Sequence, residues 1–160
     1  MPRLLPVITD FVNHSLDEAF IPKSLKTTLI IPFLKKNDLD TEDLKNFRPV
    51  SNLPFISKLI EKSVAVQVVQ YIDDNNLNEK FQSAYKKLHG TETALLKVHD
   101  DILRAVDRGC TVVLLLLDLS AAFDTVDHSL LLHRPTTRFG IEGKVLAWFK
   151  SYFTDRSQFC

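Results

Sequence analysis

Val112-Val113-Leu114-Leu115-Leu116-Leu117-Asp118-Leu119-Ser120-Ala121-Ala122-Phe123-Asp124-Thr125-Val126-Asp127-His128 is the stretch on which the reading of this chain turns. Its first six residues are apolar, too few to cross a membrane, and they run directly into an aspartate. Such a run predicts a central strand covered on both faces, with Asp118 at its carboxyl end. A carboxylate at the exit of a buried strand is costly unless a cation meets it, so a metal ion or a basic partner is implied. The plainer alternative is that Asp118 caps the turn that follows. Ser120, Ala121 and Ala122 are small enough for a ligand to approach the backbone, and Phe123 sets a ring beside them, a combination that suits a nucleotide.

Composition bounds the rest. A chain of 160 residues, 45% of them hydrophobic, can bury a core and corresponds to one domain or a large piece of one. Twenty basic and twenty acidic residues give a formal net charge of zero, whereas a nucleic-acid enzyme is usually basic overall. The local distribution says more. Lys23 to Lys36 contains four lysines and no acid, and Lys45 to Lys58 contains three basic residues and no acid, with Asp38, Asp40, Glu42 and Asp43 between. Solvated surface is the ordinary explanation of such charges. Cys110 and Cys160 form neither a ligand cluster nor a convincing disulfide pair, which suits a reducing compartment. Met1-Pro2-Arg3-Leu4-Leu5-Pro6 does not read as a signal peptide, and no run reaches the ~20 apolar residues of a membrane span. A soluble, intracellular chain without membrane contact is the expectation.

Taken in order, Leu4, Leu5, Ile8, Phe11, Val12, Leu16 and Phe20 recur at helical spacing, and Pro22 ends that helix. Thr27 to Leu34 predicts a strand, with Pro32 arguing for a sheet edge, and Phe47 to Ser51 predicts a second. Together they form a hairpin with Lys35 or Lys36 on one arm and Arg48 on the other, able to close on a polyphosphate, unless Arg48 only buttresses the hairpin. Asn52 and Pro54 open a long helix whose Ile56, Ile60, Val64, Val68 and Ile72 make one stripe, with Ser57, Lys58, Glu61 and Lys62 facing elsewhere. Lys80, Lys86, Lys87 and His89 offer phosphate contacts and Tyr85 a stacking face. Thr91 is the expected cap of a helix carrying Leu95, Val98, Ile102 and Val106 and ending at Gly109, which returns the chain onto the Val112 strand as an α/β unit. Asp127 should cap another helix, which Pro135 should kink or end, and Val145, Leu146, Trp148 and Phe149 belong to a last one.

The stretch Asp118 to His128 resembles motif A of LINE-type (non-LTR retrotransposon) reverse transcriptases. Ile31-Pro32-Phe33-Leu34-Lys35-Lys36 with Asn46-Phe47-Arg48-Pro49-Val50-Ser51 resembles the fingers of that family, and Gln82 to Ala94 resembles its template-contacting element. The resemblance implies that Asp118, with the Leu119 backbone carbonyl, binds the catalytic magnesium ions. It implies that the backbone of Leu119, Ser120, Ala121 and Ala122 cradles a deoxynucleoside triphosphate, that Phe123 excludes a ribose 2′-hydroxyl, and that Lys35 or Lys36 joins Arg48 in holding the triphosphate. Gln82, Tyr85, Lys86 and Lys87 would contact an RNA template and a DNA primer. Lys86 stands where relatives commonly carry Arg, and Pro135 where they usually carry Leu.

Tyr71-Ile72-Asp73-Asp74 spells the signature of the other catalytic carboxylates in that family. It ends an amphipathic helix and precedes motif A, instead of forming a hairpin after it, so it is read as a chance match. No other Tyr/Phe-x-Asp-Asp follows Asp118. The expected fold is therefore α+β, a truncated right-hand polymerase with helical fingers, a β-hairpin and the first palm strand: residues 1–110 fingers-like, residues 111–160 the start of the palm. The expected function is that of a partial RNA-directed DNA polymerase domain, inactive alone. A non-catalytic RNA-binding module and a non-functional retrotransposon relic are the alternatives.

Overall fold

A computed structural model describes residues 4–119, 122–123 and 125–159. Ser120, Ala121 and Cys160, which figure in the sequence reading, lie outside the described residues. Among the described residues there are five α-helices: α1 (Leu4–Asp17), α2 (Phe55–Asp74), α3 (Thr91–Asp107), α4 (His128–Phe139) and α5 (Gly143–Phe153). Three strands, β1 (Thr27–Leu34), β2 (Phe47–Asn52) and β3 (Ser157–Phe159), form one sheet in the order β2-β1-β3. The α+β class is as expected. The chain divides into two compact units, residues 1–72 with 126–160, and residues 73–125.

The first unit holds the core. Val12, Ile21, Ile60 and Trp148 are buried, with Ile8, Leu16, Ile56, Val64, Phe149 and Tyr152 packed around them, so the stripes read from α1, α2 and α5 converge as their spacing predicts. Buried Ser15 and half-buried Ser151 fasten the same elements: Trp148 Nε1 donates to Ser15 Oγ (3.3 Å), Ser15 donates to the Phe20 carbonyl (2.8 Å), and the Ile21 amide donates to Ser151 Oγ (3.0 Å). Two polar residues of α2 expected to face away point inward. Ser57 is buried and donates to the Leu25 carbonyl (2.7 Å), and Glu61 accepts from the Tyr152 hydroxyl. A hydroxyl or carboxylate on a buried face is tolerated when a partner waits there.

β1 is the central strand, not an edge. It pairs antiparallel with β2 over Leu29–Leu34 and parallel with β3 over Thr27–Leu29. Pro32 faces Pro49 in the register. The Lys35 amide donates to the Asn46 carbonyl (2.8 Å), so alternation makes 35/46 and 33/48 hydrogen-bonded pairs and leaves 32/49 a pair in which neither nitrogen is needed. β3 reaches only Leu29, so the sheet tolerates Pro32 in its middle strand.

Asn52 closes β2 and accepts from Lys58 Nζ instead of capping α2. Asp127 caps α4 as expected, accepting from the amides of Ser129 (2.7 Å) and Leu130 (3.1 Å). The Ser129 hydroxyl, then the Leu130 and Ser129 amides, hold the Asp127 carboxyl below its ordinary range. α4 runs four residues past Pro135, to Phe139. Pro135 removes one intrahelical bond, and the end is then secured by left-handed Gly140, with Ile141 N–H on the Pro135 carbonyl (3.0 Å) and Gly140 N–H on that of Thr136 (3.2 Å).

Among its described residues the second unit has one regular element, α3. Gly90, not Thr91, is its N-cap, and Thr93 Oγ1 accepts from the Gly90 amide (2.9 Å). The Leu95, Val98, Ile102 and Val106 stripe lies on one face but buries no residue. Gly109 takes the expected left-handed conformation (φ 76°).

Candidate nucleotide and nucleic-acid site

The decisive stretch does not form its expected strand. Residues 111–119 have no regular structure and no ladder partner, and Val113, Leu115, Leu116, Leu117 and Leu119 are three-quarters or more exposed. The α/β unit and first palm strand expected of them are absent from the described residues. An apolar run states that it can be buried on two faces, and says nothing of what would cover it. Asp118 is exposed on this open segment, and Ala122 and Phe123 follow in a turn with the Phe123 ring 81% exposed.

Among the described residues no three His, Cys, Asp or Glu side chains come together. A divalent ion wants several oxygen ligands. Asp118 and the Leu119 carbonyl alone do not make the donor set that the family implies for magnesium, so the residues present do not fit that ion by themselves.

The hairpin is better defined. Phe33 faces Arg48 and Leu34 faces Phe47, and the Lys35 amide extends the ladder by one pair. Side chains alternate along a strand, so Phe33, Lys35 and Arg48 share one face, with Lys35 and Arg48 diagonal neighbours. Lys36 begins the loop, its carbonyl accepting from the Leu39 amide (3.3 Å). The register therefore separates the two lysines that the sequence left equivalent. Lys35 Nζ donates to the Lys45 carbonyl; Lys35 and Arg48 are exposed, and among the described residues neither forms an ion pair.

The segment from Lys80 to His89 is irregular and exposed. Gln82 Nε2 donates to the Ala84 carbonyl (3.3 Å), and the His89 amide closes a turn on the Lys86 carbonyl (3.2 Å). Tyr85 and Leu88, at φ 59° and 61°, sit in the left-handed region without being glycine. Lys80 Nζ stands 5.3 Å above the centre of the Phe81 ring, a contact the sequence reading missed. A cation next to an aromatic in a loop was the available signal. Tyr71–Asp74 is the last turn of α2: Tyr71 donates to the Phe139 carbonyl (2.8 Å), and Asp73 accepts from Asn78 Nδ2 (2.6 Å). The first contact ties α2 to the end of α4 and the second closes the end of α2, and neither belongs to a hairpin between strands. No described helix is long and apolar enough to cross a membrane.

Residues 34–160 match the family described as reverse transcriptase (RNA-dependent DNA polymerase). Three Drosophila melanogaster relatives are similar. The RNA-directed DNA polymerase from mobile element jockey is 32% identical over 142 residues, 86% of this chain and 15% of the relative. The probable RNA-directed DNA polymerase from transposon X-element is 32% identical over 62% of this chain and 11% of the relative. The probable RNA-directed DNA polymerase from transposon BS is 27% identical over 90% of this chain and 16% of the relative. The chain thus spans about one-sixth or less of the length of these relatives. The aspartate-ended run and the fingers-like hairpin both fall in or at the edge of the matched residues, and the chain belongs to the reverse transcriptase family.

Proposed function

We propose that this chain is the nucleotide- and template-facing portion of an RNA-directed DNA polymerase of the non-LTR kind, built on a right-hand plan, with fingers-like residues 1–110 and the beginning of a palm in residues 111–160. The single observation that carries the reading is the shared face of Lys35 and Arg48 on the β1–β2 hairpin. Two cations held as diagonal neighbours without an acid repel each other, and an anion with several charged oxygens relieves that repulsion. A deoxynucleoside triphosphate is such an anion. Arg48 supplies the planar fork, Lys35 the point charge, and Lys36 no direct contact.

In this reading Asp118 to Phe123 is the nucleotide seat, and Gln82, Tyr85, Lys86 and Lys87 face the RNA template and DNA primer. Two-metal phosphoryl transfer needs carboxylates on both sides of the ion pair. With Asp118 as its one candidate in the matched pattern, this chain binds and positions without completing transfer.

The test is photocrosslinking of an azido-deoxynucleoside triphosphate to the 160-residue chain. Arg48→Ala and Lys35→Ala should each lower labelling roughly tenfold, the loss of one charge-assisted contact, while Lys36→Ala leaves it unchanged. Equal labelling of all three variants would refute the hairpin assignment. In the same preparation, RNA-templated primer extension should be absent. Extension that is lost in both Asp118→Asn and Asp73→Asn/Asp74→Asn would mean that Tyr71–Asp74 serves as a catalytic pair.

A further inference from the structure

Phe11, His14, Ser15, Glu18, Phe20 and Pro22 line a cavity of about 370 Å³ at the carboxyl-terminal end of α1. The backbone fixes its walls. The Ala19 amide donates to the Leu16 carbonyl (3.3 Å) and the Phe20 amide to the Ser15 carbonyl (3.0 Å), while Ala19, at φ 52°, takes the left-handed conformation that such a helix end ordinarily gives to glycine. That turn brings Phe20 back to the cavity that Phe11 also lines, and Ser15 Oγ ties down the Phe20 carbonyl (2.8 Å). Phe11 and Phe20 are 38% and 56% exposed, and among the described residues neither ring packs on another. Glu18 is exposed too, and among the described residues its carboxylate forms no ion pair. From Leu4 to Pro22 there are three acids, Asp10, Asp17 and Glu18, and no lysine or arginine.

We infer that this cavity is a binding site for the trimethylammonium head of a methylated lysine, carried by a basic segment of a protein partner. Three features ask for a cation: two aromatic rings with electron-rich faces, the Glu18 carboxylate, and the negative end of the α1 dipole. The acceptors decide which cation. Ser15 Oγ is already engaged by Trp148 Nε1 and the Phe20 carbonyl, and the carbonyls of His14, Ser15 and Leu16 accept from the amides of Glu18, Phe20 and Ala19. A primary ammonium brings three N–H donors and a guanidinium five, and most of them would enter the cavity unsatisfied. A trimethylated head brings the charge and no donor. The surrounding charge then decides what carries that head. Asp10, Asp17 and Glu18 attract a basic segment, and they repel the phosphate that a choline lipid holds next to its ammonium. No residue of this cavity belongs to the nucleotide- or template-facing sets.

The 160-residue chain is titrated with a short peptide carrying one trimethyllysine between two arginines, followed by calorimetry and by the fluorescence of Trp148. Trp148 is the chain's one tryptophan, and its indole N–H rests on Ser15 in the cavity wall. Two comparison peptides carry unmodified lysine, or a tert-butyl group that keeps the shape of the trimethylated head and removes its charge. The trimethyllysine peptide should bind roughly five- to thirtyfold more tightly than either. Glu18→Gln and Phe20→Leu, both at exposed positions, should each abolish that preference while the urea midpoint of unfolding stays in place. Equal affinity for the tert-butyl peptide would make the cavity an apolar slot with no use for charge, and equal affinity for unmodified lysine would reduce it to surface attraction; either result overturns the site. So does a preference that survives both substitutions, binding of phosphatidylcholine vesicles in place of the peptide, or no binding of any peptide.

Discussion

Residues 4–72 with 126–159, set beside residues 73–125, show what an apolar pattern can and cannot do. Both regions carry apolar stripes. In the first, α1, α2 and α5 bring theirs onto Trp148 and Ile60, and Ser15 and Ser151 tie the elements together. In the second, α3 and the run Val112–Leu117 keep theirs open, and no residue of α3 is buried. The α3 surface is held by solvent-side pairs, Lys97 with Asp101 and Asp100 with Arg104, of the kind that stabilises a helix only slightly. Periodicity selects a face, while stability requires a second surface to meet it.

The strongest way to break that comparison is to truncate one large apolar side chain in each region. Trp148→Ala removes the 4%-exposed centre of the core and should lower unfolding free energy by about 3–5 kcal/mol in urea titrations followed by circular dichroism. Leu116→Ala, at 83% exposure, should leave the same midpoint in place. Equal losses would mean that the run is covered in solution.

A smaller effect tests the buried hydroxyls. Ser15→Ala strands the Trp148 indole N–H and the Phe20 carbonyl, and should cost about 1–3 kcal/mol on the same titration. A neutral result would show that the packing holds without them.

The smallest effect is a matter of pH. Burial, and then the hydrogen bond to Glu61, push the Tyr152 phenol up to about 12 from its ordinary 10.0. The native state keeps this proton longer than the unfolded chain does. Its contribution is therefore complete below about pH 10 and lost as pH rises toward 12. Stability should fall more steeply between those values in the wild type than in Tyr152→Phe, and tyrosinate absorbance should show a late step that the variant lacks. Identical slopes would contradict the buried hydrogen bond.

How far the sequence was legible follows the same division. Helix positions, the hairpin, the Asp127 cap and the left-handed Gly109 were readable because each depends on neighbours within a few residues. The central place of β1 was not, since its parallel partner lies 130 residues away. Nor were the inward Ser57 and Glu61, whose partners, the Leu25 carbonyl and the Tyr152 hydroxyl, belong to other elements. The aspartate-ended run was legible as a family pattern and misread as a formed strand, because pattern carries no information about the covering layer. The choice between Lys35 and Lys36 needed the register, which hydropathy alone does not fix.

The pairing of β1 with β3 also sets a schedule on the ribosome. Thr27 is added to the growing chain 130 residues before Ser157, its hydrogen-bonded neighbour. At ordinary elongation speeds of ~5–20 residues per second, that is a wait of roughly 6–26 seconds. Through that interval the β1–β2 hairpin can close locally, while the other side of β1 stays an open template for any extended chain that reaches it first. Newborn chains on crowded polysomes would then compete for that edge in proportion to how densely they are loaded, so the yield of correctly closed sheet should rise when initiation is slowed.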